Sequence, residues 1–238
     1  LINHQFSKQF AERYNHEDVF RKINTFLINA GIITGNIIDL GAWIGDNSIP
    51  WSMNIKGLIY SIDPSLENCE FIKKMCVQNN INNIKVIQSA ISDKTETLST
   101  NDESINHCSF VYENPGTNGK IKVEAVSLDY LFEKAEIENI GYIHLDVEGM
   151  EYKIIMGSEE LINKNRPIIS FEQHLEIDNF MEIINHLNSK RYVVLLIDEV
   201  LRGCRPDCRN FIAFPNEKYN YNMVSDLNSH CGRPVFIL

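Results

Sequence analysis

Six residues with acid–base or metal-binding chemistry each end an apolar run: Asp39 in "NIIDLG", Asp63 in "GLIYSIDP", Asp146 and Glu148 in "IGYIHLDVEG", and Glu172 and His174 in "RPIISFEQHLE". A carboxylate can hold an ammonium group or a hydroxyl, or ligate a cation. A histidine at such a position can act as a general base near neutral pH. Polar groups that share the carboxyl ends of buried strands share one crevice when the strands are parallel.

Apolar runs of strand length alternate with helix-patterned stretches, the signature of an α/β fold with a mainly parallel, doubly wound sheet. Strands are expected at "NIIDLG", "GLIYSIDP", "NIKVIQSAIS", "KIKVEAV", "IGYIHLDV" and "RPIISFEQH", with "YVVLLIDEV" and "NFIAFP" as an antiparallel closing pair. A helix starts near Gly45, with Pro50 in its first turn, where a missing N–H costs nothing. In the next helix Ser65 is the expected N-cap, and Leu66, Cys69, Ile72 and Met75 line one face. The polar stretch from Asp93 to Lys120 reads as a loop or hairpin excursion. Residues 1–35 read as a helical extension, with Tyr14 and His16 as a lid over the cofactor, and residues 36–238 as the main domain.

The turn after the first strand, "GAWIGDN", resembles a dinucleotide loop but has a different spacing. G-x-G-x-x-G places its middle glycine where the backbone approaches a pyrophosphate, and here Trp43 holds that position. A flat apolar wall with backbone donors from Gly41, Ala42, Trp43, Gly45 and Asn47 suits a ligand with an amino-acid tail and a sulfonium, and Asp39 suits an ammonium group. Asp63 follows at roughly the offset, about 20 residues, at which an acid meets adenosine ribose hydroxyls. Pro64 and Ser65 continue that loop, and Ser89 and Ala90 at the end of the third strand are placed for an adenine edge. These signals favour an adenosine ligand without a phosphate.

With these residues the sequence resembles S-adenosylmethionine-dependent methyltransferases of the class I, Rossmann-like fold, and within them the FkbM family. The segments that carry the resemblance are "IIDLGAWIGDNSI", "IYSIDPS", "VIQSAISD", "VSLDYLF", "IHLDVEGMEYKIIMGSEELI", "RPIISFEQH" and "NFIAFP", between Asn36 and Pro215. The most specific is "LDVEGMEYKIIMG". The resemblance implies S-adenosylmethionine as cofactor and O-methylation, often of a sugar or polyketide hydroxyl. Two positions depart from the family pattern: Asp63 stands where a glutamate is frequent, and Met150 where a histidine or small residue is frequent.

Methyl transfer to an alcohol needs an aligned donor and acceptor and a route for the hydroxyl proton. In one scheme His174 is the base, oriented by Asp146 or Glu172. In the other, Asp146, Glu172 and Glu148 hold a divalent cation such as Mg2+ that acidifies the hydroxyl. His144 is expected to be a buried, hydrogen-bonded histidine. The alternatives to a methyltransferase are a nucleotide-dependent sugar dehydrogenase or epimerase, disfavoured by the glycine spacing and the lack of a Y-x-x-x-K pair, and an inactive cofactor-binding scaffold.

Composition narrows the partners. A formal net charge of −10 over 238 residues disfavours an electrostatic grip on nucleic acid. With 44% hydrophobic and 23% charged residues and no apolar run of about 20, a soluble protein without a membrane span is expected. The six cysteines fit neither a zinc ribbon nor a disulfide scaffold, so reduced thiols in the cytoplasm are expected. Cys204 and Cys208 in "RGCRPDCRN" are close enough to pair or to share a metal, given two further ligands. The chain begins at Leu1, which is read as a piece of a longer polypeptide, with a fused or neighbouring glycosyltransferase as a natural partner for a glycan-directed enzyme.

Overall fold

The computed structural model describes residues 17–100, 121–176, 178–201, 204–232 and 235–238, with no side-chain description at 99, 100 and 121. Tyr14, His16, Cys108 and most of the excursion before Lys120 lie outside the described residues. In chain order the elements are α1 (Asp18–Asn29), β1 (Asn36–Leu40), α2 (Ser48–Ser52), β2 (Ile59–Asp63), α3 (Leu66–Gln78), β3 (Ile84–Gln88), β4 (Ala90–Ile91), β5 (Glu96–Thr100) and β6 (Ile121–Val126). They continue with α4 (Leu128–Glu133), β7 (Ile140–Leu145), α5 (Glu151–Met156), α6 (Glu159–Asn165), β8 (Ile168–His174), α7 (Phe180–Ser189), β9 (Tyr192–Ile197), β10 (Cys208–Pro215), α8 (Met223–Cys231) and β11 (Val235–Ile237). No described helix is long and apolar enough to cross a membrane.

The described residues form two compact units, one within Thr34–Phe171 and one of those up to Ile33 together with those within Glu172–Leu238. α1 groups with the C-terminal segment. The reason is local chemistry: Glu199 accepts from the Val19 and Phe20 N–H groups at 2.9 and 3.0 Å, which satisfies donors that the first turn of α1 cannot pair internally. The buried side of α1, including Phe20, Ile23 and Leu27, then joins the core of that unit.

In Thr34–Phe171, β3, β2, β1, β7 and β8 lie side by side in parallel. β1 and β2 are buried along their whole length, which explains their continuous apolar sequences. The strand order runs outward from β1 through β2 to β3 on one side and through β7 to β8 on the other. The reversal between β1 and β7 creates a crevice beyond their carboxyl ends. The expected third strand is two strands: β3 stays in this sheet, while β4 pairs in parallel with β6, which pairs antiparallel with β5. The polar excursion therefore begins as one arm of a hairpin.

Ser65 caps α3 as expected, its hydroxyl accepting from the Asn68 N–H. The buried face of α3 is Asn68, Cys69, Ile72 and Cys76, while Leu66 is exposed. That face packs Ile72 and Cys76 against Ala42 of the turn after β1. In the other unit, β9 pairs antiparallel with both β10 and β11, so the expected closing pair gains a third strand from the C-terminal residues.

Candidate functional site

The turn after β1 is held by its neighbours on both sides. The Gly41 and Ala42 N–H groups donate to the Ile62 carbonyl at the end of β2, and the Asp146 N–H donates to the Leu40 carbonyl at the end of β1. A Cβ on Gly41 would fall 1.8 Å from the Asp146 carbonyl oxygen, and Gly41 has a φ of +73°. No other residue fits there without moving β7 from β1. Trp43 and Glu148 also have positive φ, 44° and 54°, although neither is a glycine. Such backbone costs energy and concentrates at ligand sites and turns, and here both residues sit at the mouth of the switch-point crevice.

Asp63 closes the second side of that mouth. Its Oδ2 accepts from the Trp43 N–H at 2.9 Å, and its Oδ1 accepts from the Ser65 N–H at 2.8 Å and the Asn68 side-chain amide at 3.1 Å. The carboxylate is 5% exposed, and burial raises its pKa to about 6 against the opposing pull of those three donors. A carboxylate offers about four lone-pair positions. Three are engaged here, which leaves Oδ2 room for one further donor. Ser89 lies beside it, its N–H donating to the Asp63 carbonyl, and Ala90 is buried at the start of β4. Pro64 is half-buried, and Ala42, Gly45 and Asn47 are buried in the turn.

Beneath the turn lies a polar network. Asp39 is 1% exposed; its Oδ2 accepts from the Ser48 hydroxyl at 2.5 Å, and its Oδ1 bonds His144 Nδ1 at 2.9 Å. Ser48 also meets the Ser61 hydroxyl at 2.5 Å. The indole of Trp51 packs edge-on to the His144 ring, at 5.5 Å between centroids. Residues from β1, β2, β7 and α2 thus converge on Asp39. His144 is the buried, hydrogen-bonded histidine that the sequence suggests. The network itself is not visible in the sequence, because Ser48 and Ser61 carry no motif.

Asp146 is half-buried and Glu148 is exposed at the end of β7, ahead of α5. Glu151, two per cent exposed, reaches back to accept from the Val147 N–H at 3.1 Å and so fixes this loop.

The carboxyl end of β8, in the other unit, holds a second group. Glu172 and His174 alternate onto the same face, and their ligand atoms lie with Cys208 Sγ within 4.8 Å of one another. His174 is oriented by Asp178, whose Oδ2 accepts from the His174 backbone N–H at 2.6 Å and lies 3.2 Å from Nδ1. The sequence reading names Glu172 and His174 for the acceptor side and, separately, Cys208 with Cys204 as a possible metal pair; it does not name Asp178 and does not join the two groups. The i, i+2 spacing of Glu172 and His174 on one strand was the available signal, and Cys208 is brought to it only by tertiary folding.

Comparison with known proteins follows from this geometry. The family model described as the methyltransferase FkbM domain matches residues 39–194, about two thirds of the chain. The chain belongs to the FkbM methyltransferase family. No curated protein matches it. Among solved structures, an FkbM methyltransferase from Methylobacillus flagellatus superposes with a TM-score of 0.55 at 15% identity, covering 75% of this chain and 43% of its own. The FkbM chain described here thus spans less than half the length of that relative. An O-methyltransferase from Bacillus cereus, solved with SAH, gives 0.52 at 11% identity over 90% and 91% of the two chains. An rRNA methylase from Streptococcus thermophilus gives 0.51 at 9% over 85% and 96%. At such identities these structures establish the class I methyltransferase fold for this FkbM chain.

Proposed function

We propose that this FkbM-family protein binds S-adenosylmethionine in the crevice between β1 and β7 and transfers its methyl group to a hydroxyl, with a sugar or glycan as the favoured acceptor. The observation that carries the cofactor reading is Asp63, a buried carboxylate at the end of β2 with capacity for one more donor, bonded to the backbone of the Trp43 turn. A ribose hydroxyl is the donor that suits it. Trp43 fills the position a pyrophosphate needs, which argues for adenosine with an amino-acid tail over NAD.

Bound S-adenosylmethionine supplies a methyl group activated by a sulfonium. The chain's contribution is positioning: Asp63 takes the ribose, the Gly41–Asn47 turn offers backbone groups to the tail, and Ser89 and Ala90 border the base. Asp39 serves as a positioning residue through Ser48 and His144. On the acceptor side, Asp146 follows the strand beside Gly41, and the reading assigns it to receive the hydroxyl proton, with Glu148 flanking it. A base role for His174 is the competing assignment, and it is separated from a ligand role by the variants described in the next subsection. The oxygen-rich Mg2+ scheme has its weakest support at Glu172, which is grouped with nitrogen and sulfur donors.

The acceptor class rests on the family's chemistry and on the acidic net charge of −10, which does not favour a polyanionic acceptor. Incubation with S-adenosylmethionine and a panel of sugars and glycans, followed by mass spectrometry, tests it. Methylation at oxygen supports the reading; methylation only at nitrogen or carbon, or of RNA, overturns it.

A further inference from the structure

We propose that Glu172, His174, Cys204 and Cys208 form a zinc site in the C-terminal unit, distinct from the Asp63 cradle and independent of the methyl-transfer reading. Three of the four offer ligand atoms within 4.8 Å of one another, one carboxylate oxygen, one imidazole nitrogen and one sulfur. The fourth is assigned to Cys204, which neighbours the Cys208 thiol from the same loop and lies outside the group of three. Thiolate, imidazole and carboxylate donors suit tetrahedral Zn2+, and a set with sulfur and nitrogen does not suit Mg2+ or Ca2+.

Two further features match a metal site. The first is the outer shell. Ligating histidines commonly donate their second ring N–H to a carboxylate, and Asp178 Oδ2 sits 3.2 Å from His174 Nδ1, which leaves Nε2 as the ligand atom. The second is the anchoring of the Cys204–Cys208 loop to the turn after β8. The Leu175 N–H donates to the Asp207 carbonyl at 3.1 Å, the Glu176 N–H donates to Asp207 Oδ2 at 3.1 Å, and Arg205 pairs with Asp207 and Glu176 at 3.0 and 3.5 Å. These bonds bring the cysteine loop to the Glu172 and His174 side chains before any metal arrives. Cys204 and Cys208 are both thiols, not partners in a disulfide.

The test is metal binding by the full chain, stripped of metal and kept reduced. Titration with Co2+ as a spectroscopic substitute should give one equivalent per chain, with sulfur-to-cobalt charge-transfer absorption and the visible bands of a tetrahedral ion. Competition with a chromophoric chelator then gives the Zn2+ affinity. Cys208→Ser and His174→Ala should each weaken it at least about 100-fold, and Asp178→Asn by about 10- to 100-fold, the range for outer-shell partners. Cys204→Ser, a change at an exposed residue, should keep the fold and roughly halve the charge-transfer intensity. Absence of charge-transfer absorption, its persistence unchanged in Cys208→Ser, or a Cys204–Cys208 disulfide that forms in place of metal binding would each overturn the proposal. If His174 is instead the catalytic base, His174→Ala abolishes methyl transfer while leaving metal affinity unchanged, and that result also overturns it.

Discussion

The carbonyl oxygen of Asp146 occupies the space that a side chain on Gly41 would need, 1.8 Å from where its Cβ would lie. The first glycine of the cradle and the first acid of "DVEG" are therefore one structural unit, joined at the point where the sheet reverses its strand order. Gly41→Ala would force β1 and β7 apart and place a non-glycine residue at a φ of +73°. The left-handed conformation alone costs about 1–2 kcal/mol. The expected outcome is a loss of at least about 2 kcal/mol in urea denaturation, with S-adenosylmethionine affinity reduced at least tenfold. A variant as stable as the wild type would contradict the packing described.

Asp63 makes both binding and stability depend on pH. Its carboxyl titrates near pH 6 in the folded protein, above the usual carboxylate value of about 3.9. The folded state therefore holds a proton that the unfolded state has released between about pH 4 and 6. The stabilisation from this proton is complete below about pH 4 and is lost as pH rises through about 6. Ribose hydroxyls donate to the ionised form, so S-adenosylmethionine affinity should fall as pH is lowered through about 6. Calorimetric titrations from pH 5 to pH 8 check this, and Asp63→Asn should show neither pH dependence.

The Asp39 network is expected to govern stability more than chemistry. Asp39→Ala removes the buried acceptor that the Ser48 hydroxyl and the His144 ring share, at about 1–3 kcal/mol. Chemical denaturation of Asp39→Ala should show a loss in that range. Asp39→Asn, which keeps one oxygen acceptor, should lose less.

Glu199 provides a corresponding test in the other unit. Its carboxylate accepts from the Val19 and Phe20 N–H groups in the first turn of α1 at 2.9 and 3.0 Å, so Glu199→Ala should cost about 1–2 kcal/mol. Hydrogen exchange should localise the loosening to α1.

What the sequence could show and could not follows the range of each interaction. The strand-ending acids, the Ser65 cap and the antiparallel pairing of β9 with β10 depend on local pattern, and they are found where the residues predict them. The buried face of α3 is shifted, with Asn68 inside and Leu66 outside, because Asp63 draws the Asn68 amide inward and tertiary contact outweighs hydropathy. The burial of Asp39 against Ser48 and His144 needs three strands and a helix to meet, so no linear spacing reveals it. Trp43 at φ 44° is equally hidden, since a tryptophan gives no hint of left-handed backbone. The grouping of Cys208 with His174 joins residues far apart in sequence and becomes visible only after β8 and β10 are formed.

The cradle is tested most directly by calorimetric titration of the wild type and Asp63→Ala with S-adenosylmethionine and with NAD. The account predicts one S-adenosylmethionine site per wild-type chain, at least a tenfold loss of affinity in Asp63→Ala, and no NAD binding to either. Binding of NAD, or S-adenosylmethionine affinity that is the same in both proteins, would contradict it.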